Sequence, residues 1–596
     1  MNTSSHAPRT SGRGVAPASI TSPRRSVVRT LAVAVAALGL VMPACKSDKA
    51  QPPAVVALQP VPAPAGHVAD VFIPTPDATW QLMRAKLGGP MALLPATFPG
   101  AVVTILGLSP QLLEQIDSNV PAYGVWTDDG KRMVLVMGVH VRDGARAVTL
   151  LTDGADAKFK ARPDPSGVTL LDPTPTNTAH AAALGVTGNY LLWAETSDDL
   201  VKSGPYVART LPTRPAEKGQ IVMVATRASL AGPLAKRVRD GWAAFRKEKE
   251  DEDKKLRQEH GGKAPDFGDP AAALADVDGK VSRVATLLSD LEEARATIDF
   301  DNAGVHARLT MKPAADNGPA TQEFAAMVTG DTAPLLALPR GSLFGLLTRD
   351  SSDVRKQSSA DQADSITKIL GDRIGADDAK KLHDALSMWA QSRGDWLSAG
   401  LEATADGKTL VINGALADGK QLDDGLRAIL ALASVPAFKE PIETHIGKLT
   451  LAKPVAADGT VTVHVKREQA GKDAKPEKTE FDVAWQAAEK APTFTLLVNQ
   501  DAKTWFKQRG TAQDQTIASD PDLSSALRGL GNDVAFAAFL EPIRLMASLT
   551  ARLPKGAEPP AAPMLFSYGG NKTAAWFRLD LSDDATREVV KVLSRR

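Results

Sequence analysis

The sequence predicts an α+β fold in which curved, mainly antiparallel sheets are built from repeated hairpin-plus-helix units. Two observations lead to this prediction. Runs of alternating apolar and polar residues come in pairs, and the pairs are joined by Asp-Gly, Gly-Gly or Asn-containing turns, which tight hairpins favour because they need positive φ. Each pair is followed by a stretch with the apolar period of an amphipathic helix. Helices that follow hairpins cover a face of an antiparallel sheet.

The clearest unit begins at Ala294. Ala296, Ile298 and Phe300 alternate with polar residues, and Asp301 to Gly304 supplies the turn before the return strand. The whole set of units is Tyr123 to Leu151, Ala294 to Val328, Trp396 to Ala433 and Met564 to Leu593, where Ser582 is the predicted N-cap of the last helix. True internal duplication and independent recurrence both remain open at this level.

A second recurring piece is a short apolar strand that leads into a helix. Four places fit this pattern: Val71 to Pro74 into Asp77 to Leu87, Tyr190 to Ala194 into Asp198 to Arg209, Leu335 to Leu338 into Ser342 to Leu347, and Phe494 to Val498 into Asp501 to Gln508. Short apolar runs of this kind predict strands only when the flanking residues break the pattern.

The first stretch of the chain has the layout of an export signal. Five arginines and no acidic residue precede Leu31, and the apolar run from Leu31 to Met42 is too short to span a membrane stably. The run ends in Met42-Pro43-Ala44-Cys45, which contains the only cysteine of the chain. These residues resemble the lipobox of bacterial lipoproteins, which implies cleavage before Cys45 and acylation of Cys45. The alternative is an ordinary buried cysteine that follows a signal peptide.

The resemblance also implies where the protein works. Two or more acyl chains, at about 0.8 kcal/mol per buried methylene, would hold the protein on a membrane. Arg24 and Arg25 resemble the pair of a twin-arginine signal, and the general secretory route is the alternative. Lys46 after the cysteine resembles the sorting pattern of outer-membrane lipoproteins rather than inner-membrane ones. We therefore expect a cell-envelope protein.

Composition limits the remaining classes. Loss of the five leader arginines changes the formal net charge from +1 to −4, so no polybasic surface is expected and nucleic acid is not a predicted partner. With Cys45 acylated, no thiol is left for a disulfide. Five segments are predicted: a signal peptide at 1–44, the lipidated cysteine and a proline-rich tether at 45–66, a first α+β domain at 67–260 that ends in a charged helix, a second α+β domain at 261–490, and a C-terminal α+β unit at 491–596.

No motif predicts a catalytic residue, a metal ligand or a cofactor site. Gly414 to Lys420 has the spacing of a phosphate-binding loop, but Gln421 stands where a magnesium-binding hydroxyl is required. The nine histidines are scattered, and His140, His306 and His464 lie at polar positions of predicted strands, where we expect them to face solvent. A cofactor is not predicted.

The sequence favours a non-catalytic, lipid-anchored envelope protein that binds another protein or a polymer, through the polar faces of its sheets or the charged segment from Arg246 to His260. The alternative is a carrier of a hydrophobic ligand, such as a lipid, in a groove between sheet and helices. Trp576 hints at this alternative because it lies opposite the apolar face of its strand. An extracytoplasmic enzyme is a less favoured third class. In layout alone, the mature chain loosely resembles large envelope lipoproteins of no assigned activity.

Overall fold

The computed structural model describes most of the chain after the leader. Cys45, the export signal and the first part of the proline-rich segment lie outside the described residues, so the lipidation prediction stays a prediction. The described residues are 58–153, 157–175, 182–259, 270–404, 407–470, 476–488, 492–499, 501–509, 516–542, 544–545 and 563–594. Among them, no helix combines the length and the apolar character needed to cross a bilayer.

Within the described residues, 21 strands form one open antiparallel sheet with helices on both faces. The predicted α+β class with antiparallel strands is confirmed, although a single continuous sheet replaces the several sheets that we expected. The predicted domain boundaries stay predictions.

The first half of the sheet comprises the strands and helices up to Pro313. Its elements are β1 (His67–Ile73), α1 (Pro76–Leu87), α2 (Phe98–Ile105), β2 (Ala122–Asp128), β3 (Met133–His140), α3 (Gly144–Thr152), β4 (Phe159–Pro163), β5 (Thr169–Pro173), β6 (Ala183–Thr187), β7 (Tyr190–Ala194), α4 (Ser197–Arg209), β8 (Ile221–Thr226), α5 (Ala235–Glu259), α6 (Pro270–Ser289), β9 (Leu291–Phe300) and β10 (Gly304–Pro313).

Two short helices, α7 (Pro319–Ala325) and α8 (Ala333–Leu336), lead into the second half. Its elements are β11 (Ser342–Arg349), α9 (Ser352–Leu370), α10 (Ala376–Ser392), β12 (Arg393–Thr404), β13 (Gly407–Leu416), α11 (Gly419–Leu432), α12 (Pro436–His445), β14 (Lys448–Leu451), β15 (Val455–Ala457), β16 (Thr460–Ala470), β17 (Pro476–Ala487), β18 (Thr493–Asn499), α13 (Ala502–Arg509), α14 (Pro521–Arg528), β19 (Val534–Leu540), β20 (Met564–Asn571), β21 (Ala574–Ser582) and α15 (Asp583–Ser594).

One element prediction is wrong. The apolar run from Leu335 to Leu338, expected as a strand, lies in and just after helix α8, and the segment from Ser342 to Leu347, expected as a helix, is strand β11. β11 alternates buried and half-buried residues and pairs with β12 on one side and β19 on the other. A short apolar run fits either a strand or a helix. The segment from Ser342 is a strand because β12 and β19 pair with it on its two sides.

The two halves repeat one strand topology. Across the sheet the first half reads β4-β5-β6-β7-β3-β2-β1-β8-β9-β10, and the second half continues β21-β20-β19-β11-β12-β13-β18-β17-β16, with β14 and β15 both on the outer edge of β16. Read outwards from the centre, β10 matches β21, β9 matches β20, β8 matches β19, β1 matches β11, and so on to the edges. The four predicted hairpin-plus-helix units therefore fall into two matching pairs.

The repetition extends to single hydrogen bonds. Asp143 caps helix α3 by accepting a hydrogen bond from the next turn, and Asp418 caps α11 in the same way. Val141 donates its N–H to the Asn189 carbonyl at 2.8 Å, and the matching Leu416 donates to Pro492 at 2.7 Å. The glycines before Gln421 thus belong to a repeated strand-to-helix connection and not to a phosphate-binding loop.

The halves meet where their matching last strands, β10 and β21, pair antiparallel. Arg308 lies directly opposite Arg578, and each arginine follows its own hairpin turn by the same number of residues. An approximate two-fold axis therefore passes through this arginine pair. We call the β10–β21 pairing the seam.

In each half, helices pack on both faces of the sheet, and a separate hydrophobic core lies between the sheet and the helices on each face. On the face that we call the front, Trp80 and Met83 of α1 are fully buried against the first half, and Trp389 of α10 covers the second. On the back, α4 covers the first half, and α8, α13 and α14 cover the second. Both faces of β7 are covered, and all five of its residues are buried, which explains its unbroken apolar run.

Candidate functional site

The end of the proline-rich segment is fixed to the fold. The hydroxyl of Thr210, at the end of α4, accepts a hydrogen bond from the Val61 N–H at 2.9 Å and donates one to the Val61 carbonyl at 2.7 Å. Val61 also packs against the back core of the first half. The segment was predicted to be a spacer over its whole length, but its described part, from Leu58 onward, is anchored.

A buried hydrogen-bonded relay lies just after this segment. The imidazole of His67 has Nδ1 at 2.7 Å from the Ser229 hydroxyl and Nε2 at 2.8 Å from the Asp70 carboxylate. Arg214 pairs with the other oxygen of Asp70 at 2.6 Å and donates to the Tyr206 hydroxyl at 2.7 Å. Burial, with a smaller contribution from the carboxylate of Asp70, raises the pKa of Tyr206.

Ser229, His67 and Asp70 are linked in the same order as the residues of a catalytic triad, but a substrate cannot reach the hydroxyl. Only 1% of the Ser229 surface and none of the Asp70 surface reach solvent, so a substrate carbonyl has no room at the hydroxyl. A nucleophile must lie in a cleft within reach of a reacting atom. The relay therefore ties β1 to the segment after β8 and to α4. Sequence reasoning missed it because its members are far apart in the chain.

The three strand histidines have different surroundings. His140, expected to face solvent, is half-buried with its ring edge-on to Tyr190 at 5.4 Å, and burial lowers its pKa. His306 and His464 are partly exposed, and both lie between two carboxylates. Within the described residues, no group of three metal-binding side chains converges.

A group of aromatic side chains lies on the front face beside the seam. Four aromatic rings from β19, β20 and β21, those of Phe536, Phe566, Tyr568 and Phe577, form what we call the aromatic patch. Phe536 stacks on Tyr568 with ring centres 5.4 Å apart and contacts Phe566 edge-on at 5.9 Å, and Tyr568 contacts Phe577 at 5.6 Å. Phe566 is 44% exposed, although its strand lies near the middle of the sheet.

The first half provides an internal comparison for this surface. The strand register matches Phe536 to Ile221 and Tyr568 to Ile298. Ile221 and Ile298 pack against the front core that contains Trp80 of α1, whereas none of the four patch residues belongs to a buried core cluster of the described residues. The same part of the fold therefore packs against the core under helix α1 in one half, whereas in the other half Phe566 is exposed and the other three rings are half-buried.

The surroundings of the patch are hydrocarbon. Its cross-strand neighbours on the front face, apart from Thr348, are aliphatic: Leu309, Ala538 and Leu579. Thr348, opposite Phe536, and the hydroxyl of Tyr568 are the polar groups among these side chains, and burial raises the pKa of Tyr568. Sugars and peptides need several hydrogen-bonding partners, so this surface is suited to a hydrocarbon chain.

Other surface features are less specific. Trp576 lies on the back face, as predicted, and packs against the core covered by α8 and α14, so it leaves no groove. A shallow groove of about 410 Å³ lies between α6 and α7, but the ion pair of Arg283 and Glu323 lies at its wall. Neither feature converges polar groups on a ligand.

Comparison with known proteins gives little. No protein-family model matches the chain, and no curated protein matches it. Two crystal forms of TP0453, a treponemal envelope lipoprotein, are similar to part of the chain, with 10% and 12% sequence identity and a TM-score of 0.18 each. They cover 44% of this chain and 98% and 97% of TP0453. At this score the likeness carries no argument.

Proposed function

We propose that the protein is a non-catalytic, lipid-anchored protein of the cell envelope that holds a hydrophobic ligand, of the class of lipid acyl chains, on the aromatic patch. The proposal depends on one observation: Phe566 is exposed and the three rings beside it are half-buried outside any core cluster of the described residues, whereas the matching Ile221 and Ile298 pack against the core that contains Trp80 of α1. Clusters of apolar side chains at a protein surface are a common feature of interaction sites.

The leader supports the envelope part of the proposal. The lipobox-like sequence at Cys45 supports a location beside a bilayer, for which we propose the outer membrane, and acyl chains are the most abundant hydrophobic ligands there. The chain between Cys45 and the anchored Val61 is too short to let the fold diffuse far from the membrane surface, because an extended chain covers about 3.5 Å per residue.

The test is direct extraction. Residues 46–596 are exported from a cleavable leader, purified without detergent and extracted with organic solvent, and the extract is analysed by mass spectrometry. We expect a lipid in near-stoichiometric amount, and less of it in Phe566→Ser. Substitution of Val455, which is 63% exposed on edge strand β15, by serine is the matched control and should leave the amount unchanged. A lipid-free wild-type protein contradicts the proposal.

A second candidate function is binding of an envelope protein through the hairpin of α5 and α6. Its supporting observation is Phe245, which is 44% exposed on α5 beside the Lys249 ammonium at 5.7 Å. Several charges of α5 pair within the hairpin, as Arg246 does with Glu250 and Asp278, so an apolar contact fits better than electrostatic docking.

Crosslinking in cells distinguishes the two candidates. Phe245→Ser, and separately neutralisation of Lys249 with Lys255, should remove a crosslinked partner if the hairpin binds one. An unchanged set of partners with both variants rules this function out, and it leaves the lipid proposal unaffected.

A further inference from the structure

A cluster of charged side chains crosses the seam on the back face, directly behind strands that carry the patch. His306 of β10 lies opposite Asp580 of β21, and its Nδ1 is 2.5 Å from an Asp580 carboxylate oxygen. Its Nε2 is 3.0 Å from Asp301, in the turn between β9 and β10. One imidazole thus connects a turn of the first half to a strand of the second.

The two hydrogen bonds of His306 determine which protonation state of its imidazole fits this geometry. A carboxylate oxygen only accepts hydrogen bonds, and a neutral imidazole has one N–H donor, so His306 can satisfy both Asp301 and Asp580 only as the doubly protonated cation. Asp580 is also bound by the Arg578 guanidinium, with Nε at 2.7 and 2.9 Å from its two oxygens, and the residue is 8% exposed. Arg578 therefore holds the Asp580 carboxylate in the position where it contacts the His306 imidazole.

The other charged groups near His306 do not link the two halves in its place. Asp299 of β9 lies opposite His306 and accepts a hydrogen bond from the Gln220 N–H at 2.9 Å. Arg295, further along β9, pairs with Glu217. Arg308 is exposed on β10 and lies opposite Arg578, and like charges directly opposite each other weaken a strand pair. The bridge from His306 to Asp580 therefore offsets this repulsion across the seam.

We infer that His306 forms a pH-dependent ionic link across the seam. As a cation, His306 binds both Asp301 and Asp580 and so connects the two halves. As a neutral ring, it releases one of these two carboxylates. The inference is independent of the ligand proposed for the patch. Two facing carboxylates, with the hydrogen bond to Asp580 first, raise the pKa of His306 above its ordinary value despite partial burial. Because the folded-state pKa is raised, the stabilisation is complete below the ordinary histidine pKa and is lost as pH rises through the folded-state pKa.

The test compares hydrogen exchange of the full chain in detergent at about pH 5.5 and about pH 8.5, corrected for intrinsic exchange rates. We expect the protection of β10 and β21 amides to fall at the higher pH, by roughly tenfold for each unit by which the pKa of His306 is raised. His306→Gln should show low protection at both values, and His306→Arg, which keeps a charged donor, should show no loss between them.

His464 supplies the matched control, because it lies between Asp482 and Glu480 in the same manner but in the β16–β17 hairpin, away from the seam. His464→Gln should leave the pH response of β10 and β21 intact. Titration of carbon-13-labelled histidines in the wild-type protein measures the pKa of His306 directly, so this readout does not depend on the folding of a variant. An ordinary or lowered value, or a seam response that persists in His306→Gln, overturns the inference.

Discussion

Replacement of Phe566 by serine gives the sharpest measure of the aromatic patch. A phenylalanine side chain offers about 200 Å² for burial, so its 44% exposed fraction corresponds to about 90 Å² that a ligand can cover. At about 25 cal/mol per Å², this area contributes about 2 kcal/mol to binding. Each 1.4 kcal/mol is about a tenfold change in affinity, so Phe566→Ser should weaken binding of a hydrocarbon ligand by about 30-fold.

The assay is titration of residues 46–596 with a fluorescent fatty acid, after removal of bound lipid. Val455→Ser is the control, since it removes a more exposed apolar side chain far from the patch. Val455→Ser should change the free energy of unfolding by no more than about 0.5 kcal/mol. Phe566→Ser also loses the packing of its buried part against Phe536 and should cost about 1 to 3 kcal/mol, so affinities are compared under conditions in which both variants are fully folded. Equal affinity of Phe566→Ser and wild type would refute the reasoning, and a common weakening in both variants would mean that the dye binds non-specifically.

Three further outcomes are expected. Asp70→Asn should lower the free energy of unfolding by about 2 to 3 kcal/mol in urea denaturation, because it leaves His67 and Arg214 without their buried anion, and an unchanged midpoint would remove the structural role of the relay. Gly569→Ala should destabilise the fold, since an added Cβ would lie 1.8 Å from the Asp533 carbonyl oxygen, whereas Gly232→Ala, with nothing within 4 Å, should not. Cys45→Ala should abolish labelling by a palmitate analogue and release the protein from membranes, and label that survives the substitution would disprove lipidation.

Local patterns in the sequence predicted local structure well. The hairpin around Asp301 to Gly304 is present as β9 and β10, and Ser582 caps α15 by accepting a hydrogen bond from the Ala585 N–H at 3.2 Å. Turn residues, caps and period-two alternation act over a few positions, so the chain itself displays them. The exchange of strand and helix around Ser342 shows the limit, because only the neighbouring strands decide a short apolar run.

Contacts that depend on topology could not be read from the chain. His306 was correctly placed on a polar strand position, but its partner Asp580 belongs to the last strand of the other half. His67 and Ser229 were likewise invisible as a pair. Strand order and register determine which side chains meet across a sheet, and a register is specified by the packing of the whole face, not by a local motif.

The repeated topology also explains why the patch is better interpreted as a site than as exposed core. Because the two halves share one strand register, each has an apolar front face that must be shielded from water. The first half has small and aliphatic side chains there, Ala296 and Ile298, and Ile298 packs against the core that contains Trp80 of α1. At the matching positions the second half has Phe566 and Tyr568, larger rings on a surface that is less covered. Larger apolar side chains on a partly covered sheet increase the cost of exposure to water, and a bound hydrocarbon chain would remove that cost.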